Sequence, residues 1–108
     1  MVKQGDIIKL NFDPQIGTEQ KGSRPALVVS NNKFHKISKK RAWVCPITRT
    51  DKQYPIHVNL DERTDTVGVI LCDQIKTVDL EARGFEFIEV VPDDILRDAL
   101  DIITDFMA

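Results

Sequence analysis

Three short segments hold the side chains of this protein that could do chemistry. "GTEQKGSRP" carries Glu19, Gln20 and Arg24, "PITR" carries Thr48 and Arg49, and "CDQIK" carries Asp73, Gln74 and Lys76. Brought together, they offer carboxylates as proton acceptors, a permanently charged planar donor and a hydroxyl. Metal chemistry fits poorly. Cys45 and Cys72 lie in apolar runs without CxxC spacing, and His35 and His57 stand far from each other in sequence. Neither a metal nor a cofactor is expected, and both cysteines read as reduced packing residues.

Such an inventory suits cleavage of a phosphodiester that brings its own nucleophile. RNA does so through its 2′-hydroxyl, so the protein need only accept that proton, stabilise the charge growing on the phosphorus and assist the leaving oxygen. The Arg24 guanidinium can fork onto two phosphate oxygens. A carboxylate serving as base at neutral pH needs partial burial, which sequence cannot show. Each residue also has a plainer use. Glu19 and Arg24 could form a surface ion pair worth about 0–1 kcal/mol, Thr48 could cap a turn, and Asp73 could hold the turn toward Lys76.

Loops of this kind need a scaffold, and the hydrophobic pattern supplies one. Ile8, Leu10 and Phe12 alternate with polar residues, as in a half-buried strand, and "PALVVS" over residues 25–30 is apolar throughout, as in a buried one. "RAWVCPIT" reads as a strand whose Pro46, lacking an amide hydrogen, calls for an edge position or a bulge. Ile56, Val58 and Leu60 alternate in a further strand, residues 67–73 form the next, and "FEFIEV" the last. "NNKFHKISKK" reads as a loop, and residues 79–83, stopped by Gly84, as a helical turn. At the carboxyl end Ile95, Leu96, Ala99, Leu100, Ile102, Ile103, Phe106 and Met107 line one side of a helix. The expected fold is therefore mainly β, a strongly curved antiparallel sheet or small barrel with a C-terminal amphipathic helix, in one domain over residues 1–108.

Formal net charge is −2, but it is unevenly spread: residues 1–60 carry eleven Lys/Arg against four Asp/Glu, and residues 61–108 carry four against thirteen. Lys33, Lys36, Lys39, Lys40, Arg41, Arg49 and Lys52 flank the "RAWVCPIT" strand, a local basic field suited to phosphates. No apolar run approaches the roughly 20 residues of a membrane span, and the amino end lacks the pattern of a secretory signal. The expected location is cytoplasmic, without a membrane partner.

"GDIIKLNFDPQIGTEQKGSRPALVVS", "VCPIT" and "GVILCDQIKTVDLEARG" together resemble the MazF/PemK family of toxin endoribonucleases. The resemblance implies an SH3-like barrel with a terminal helix, acting as a homodimer. It also implies metal-independent, sequence-selective cutting of single-stranded mRNA to a 2′,3′-cyclic phosphate and a 5′-hydroxyl, which inhibits translation and growth. A cognate antitoxin, through its C-terminal tail, would neutralise it. By the same resemblance Arg24 and Thr48 match the family's catalytic pair, Glu19 a glutamate proposed as base in some members, and Asp73 a carboxylate proposed in others. Gln20, Arg49, Gln74, Lys76, Lys52 and Tyr54 are then candidate RNA contacts. The chain departs from some members at Thr18, where they have histidine, and at Leu71, where they have arginine. The rival reading is a non-catalytic toxin or binding module on the same fold, such as a topoisomerase inhibitor.

Overall fold

The computed structural model describes residues 1–12, 22–50 and 53–107 of the chain. Their elements run in the order β1 (Asp6–Asn11), β2 (Ser23–Val28), α1 (Asn32–Ile37), β3 (Arg41–Thr48), β4 (His57–Asn59), β5 (Val69–Leu71), a 3₁₀ turn (Cys72–Gln74), β6 (Lys76–Asp79), α2 (Leu80–Arg83), β7 (Glu86–Val90) and α3 (Asp93–Met107). Strand pairing among them is antiparallel throughout.

The continuous apolar run in β2 has a direct cause, because both faces of this strand are covered. Leu27 and Val29 join Ile7, Cys45, Ile47 and Ile70 in one core, which α3 closes with Ile95 and Ala99. Ala26 and Val28 point the other way, into a second core with Ile8, Leu10, Phe12 and Val44. A strand buried on both sides loses the polar alternation that a one-sided strand keeps.

The expected barrel does not form, and the fold is mixed α and β rather than mainly β. The seven-stranded sheet runs β4-β5-β3-β2-β1-β7, with β6 also pairing β3, and it stays open between its end strands. Side chains bridge the gap beside β7 instead of a backbone ladder. The Glu89 carboxylate accepts from the Asp65 amide at 3.1 Å and from the amide and hydroxyl of Thr66 at 2.8 and 2.7 Å. Burial opposes ionisation of Glu89, but these donors win and hold its pKa below the usual glutamate range. α3 fills the remaining space as a packed layer, so closure of the sheet is not needed to bury the core.

Pro46 lies neither at an edge nor at a bulge. It sits within β3, opposite Ala26 of β2. Trp43 accepts from the Val29 amide at 2.9 Å, so Trp43 and Cys45 bond toward β2 and, by alternation, the Pro46 nitrogen faces the other side. On that side β3 exchanges one partner for another, β6 opposite Arg41–Val44 and β5 opposite Ile47 and Thr48. The missing donor falls in the changeover.

"NNKFHKISKK", expected as loop, contains α1. Asn31 caps it, its side-chain oxygen accepting from the Phe34 amide at 3.0 Å. α2 and its stop are as expected, with Asp79 accepting from the Ala82 amide and Gly84 at φ 70°. None of the described helices is long and apolar enough to cross a membrane.

Candidate active site

Arg24 stands one residue inside β2, half-buried, paired with Leu10 of β1. Thr48 ends β3, also half-buried, and pairs with Val69 of β5. The β2–β3 register pairs Val28 with Val44, Leu27 with Cys45 and Ala26 with Pro46. That ladder ends there, two residues short of Arg24 on β2 and two short of Thr48 on β3, and Ile47 and Thr48 pair with β5 instead. Arg49, exposed, follows directly.

The sheet reaches Thr48 through a close approach. Gly68 has φ 135°, and a Cβ on it would run into the carbonyl oxygen of Thr48. Only glycine allows both the backbone angle and the contact. The Thr48 hydroxyl oxygen accepts from the Thr50 amide at 3.3 Å, so the turn-capping use of this side chain is realised as well.

Asp73 and Gln74 lie elsewhere on the sheet. Their 3₁₀ turn packs beside β3 and β4 and against α3, in the stretch between β5 and β6. One Asp73 oxygen is 3.6 Å from Nε2 of His57, whose side chain is only 9% exposed. Tyr54 meets the same imidazole edge-on, with ring centroids 5.2 Å apart. The Oε1 atom of Gln74 is buried and accepts no hydrogen bond among the described residues. Thus Arg24 and Thr48 fall on adjoining strands, whereas Asp73, Gln74, Tyr54 and His57 form a second group. Sequence reading missed His57, because its closeness to Asp73 follows from the pairing of His57 with Leu71 and from no local pattern.

Lys76 opens β6 opposite Val44, its ammonium 5.7 Å from the centre of the buried Phe12 ring, within cation–π range. Glu19, Gln20 and Lys52 lie outside the described residues, as does Thr18. Both cysteines are free and buried. Burial first, then the nearby Asp73 charge, pushes the Cys72 thiol up to about 12 and the Cys45 thiol higher still, so neither serves as a nucleophile at neutral pH. No group of three or more His, Cys, Asp or Glu among the described residues could hold a metal ion.

The basic residues divide between the two ends of β3. Lys33, Lys36, Lys39, Lys40 and Arg41 gather around α1 and the strand's start, and Arg49 follows its end. β3 is eight residues long, so these ends are about 25 Å apart.

A family model described as "PemK-like, MazF-like toxin of type II toxin-antitoxin system" matches residues 3–107. The endoribonuclease PemK of Escherichia coli is 34% identical over an alignment 103 residues long that covers 92% of this chain and 77% of PemK. The crystal structure of MazF from Deinococcus radiodurans superposes with a TM-score of 0.90 at 32% identity, covering 98% of this chain and 96% of that one. A MazE-MazF crystal structure from the same organism gives a TM-score of 0.84 at 32% identity, covering 99% and 97%.

Proposed function

The chain belongs to the PemK-like, MazF-like toxins of type II toxin-antitoxin systems, and we propose that it cuts single-stranded RNA at a site centred on Arg24 and Thr48. Endoribonuclease action as a growth-inhibiting toxin is the family's activity and that of its relatives. The finer chemistry is our reading. The 2′-oxygen attacks the neighbouring phosphorus, its proton passing to a carboxylate, for which Glu19 is preferred to Asp73. The bond from phosphorus to the 5′-oxygen breaks and that oxygen takes up a proton, leaving a 2′,3′-cyclic phosphate and a 5′-hydroxyl. No metal takes part in these steps.

What supports this reading is the antiparallel pairing of β2 on β3, whose last pair, Ala26 with Pro46, lies two residues from Arg24 on one strand and two from Thr48 on the other. Arg24 supplies a fixed positive fork for the charge that grows on the phosphorane oxygens, and Thr48 a hydroxyl donor beside it. Arg49, Gln74, Lys76 and Tyr54, with Gln20 and Lys52, are proposed contacts to the rest of the strand. The MazE-MazF structures support an antitoxin as partner, and we propose that its C-terminal tail makes the contact and that the active form is a homodimer.

Incubating the protein with a long RNA in excess EDTA should give discrete fragments ending in cyclic phosphate. Replacing the ribose at a mapped scission point by 2′-deoxyribose should abolish that cut. Undiminished cutting of the deoxy analogue would overturn the mechanism, and intact RNA in the first experiment would favour a non-catalytic binder.

A further inference from the structure

Trp43 is the chain's single tryptophan, and it is 40% exposed. It continues the row of Ile47 and Cys45 along one face of β3, at the end of the strand away from Thr48. α1 stands beside it, with the Phe34 and Trp43 rings 5.0 Å apart and tilted by 44°. Together with Asn31, Lys33 and Ile37 these rings line an open cavity of about 350 Å³.

This platform is rigidly held. The Trp43 amide donates to the Ser30 hydroxyl oxygen at 2.9 Å, and that hydroxyl meets Nε2 of the buried His35 at 2.6 Å. One chain of hydrogen bonds therefore ties β3 to α1. Around it Lys33, Lys36, Lys39 and Arg41 are exposed, and none has an acidic partner within ion-pair distance among the described residues. Lys40 does, at 3.9 Å from Glu81. Asp79, across the ladder from Arg41, is turned to the N-terminus of α2.

An exposed indole and a second ring in a pocket large enough for a base, ringed by unpaired cations, is the construction that binds single-stranded nucleic acid. Stacking takes the base and the lysines take the phosphates on either side. An acidic peptide would satisfy the charges but would leave the flat aromatic surface without a matching partner. We propose that α1 and the start of β3 form a second binding site for single-stranded RNA. Trp43 and Phe34 are its stacking surface and Lys33 and Lys36 its main phosphate contacts. Trp43 is five residues from Thr48 on one strand, about 16 Å, and that odd spacing sets the two side chains on opposite faces of β3, so the site takes a stretch of RNA separate from the one being cut. The inference rests on the reading of the chain as an RNA-cutting protein.

Because Trp43 is alone of its kind, its emission reports on this face directly. A uridine-rich 2′-O-methyl RNA, which cannot cut itself, should change that emission saturably. With three phosphates neutralised, affinity should fall roughly 20-fold between 50 and 200 mM salt. Lys33→Glu with Lys36→Glu should weaken binding at least about tenfold, whereas Arg24→Ala should leave the emission change in place. Unchanged emission at saturating RNA, or no effect of the charge reversals, would overturn the proposal. So would an equal change produced by a polyglutamate peptide at lower concentration. A protein that shows this binding but cleaves no RNA would support the site and overturn the nuclease reading alone.

Discussion

Arginine holds its charge across any working pH and presents its donors in a fixed plane, so residue 24 cannot be replaced by a charge alone. Arg24→Ala should lower cleavage roughly 100-fold or more, far beyond what any shift in melting temperature explains, because it removes an interaction made in the transition state. Arg24→Lys should recover little of it, lacking the fork. Wild-type cleavage by Arg24→Ala would remove this residue from the mechanism. The two candidate bases are separable in the same assay. Asp73 already faces His57 at 3.6 Å, an engagement that competes with accepting a proton from substrate. Glu19→Gln should therefore cost more activity than Asp73→Asn, with circular dichroism checking that both variants fold. The reverse order would make Asp73 the base.

Side chains of this kind work only where strands hold them, and here the Thr48 end of β3 depends on Gly68. Gly68→Ala forces a methyl group into the Thr48 carbonyl oxygen at a backbone angle that alanine resists. The expected result is a loss of about 1–3 kcal/mol in stability and a larger fractional loss of cleavage than the stability change explains. A variant with wild-type melting and activity would show that this contact does not position Thr48. α1 depends on His35 in a different way. Burial lowers the His35 pKa below its ordinary 6.5, partly opposed by the Asp6 carboxylate. The unfolded chain thus binds this proton more readily than the folded one, and the stability present above about pH 6.5 is lost as pH falls below it. Melting temperature should drop between pH 7 and 5, and His35→Leu should flatten that slope even if it lowers the whole curve. An unaltered slope would assign it to other groups. These elements also show what was legible in the sequence and what was not. The alternation in β1, the apolar run of β2 and the face of α3 record burial, which is written in side-chain type. α1 escaped because its six residues are too few for a helical period to emerge and its cap is a single asparagine. Whether the sheet closes escaped as well, since it turns on which distant strands pair, and no local pattern encodes that. Arg24 and Thr48 stand out as candidates through their motifs, whereas the His57–Asp73 pair depends on cross-strand pairing.

The charge asymmetry along the chain becomes an asymmetry in space. α3 carries Asp93, Asp94, Asp98, Asp101 and Asp105 against Arg97, whereas Lys33, Lys36, Lys39, Lys40, Arg41 and Arg49 lie on α1 and at the two ends of β3. On the proposed function, such a field should steer RNA away from the helix and toward β3. An antitoxin tail rich in acidic residues would follow the same field, which makes it a competitor for the basic ends of that strand. Adding the antitoxin's C-terminal peptide should raise the apparent Kd for an uncleavable RNA in proportion to peptide concentration. Because both ligands depend on the same cations, charge reversal at Lys33 and Lys36 should weaken peptide and RNA together. Higher salt should lower both affinities and leave their competition intact. If the peptide abolished cleavage without shifting RNA affinity, occlusion would be wrong, and the antitoxin would have to act by distorting the proposed Arg24 and Thr48 site or by separating the proposed homodimer. Measuring peptide affinity to Arg24→Ala then distinguishes those two, since only a peptide seated at that site responds to that substitution.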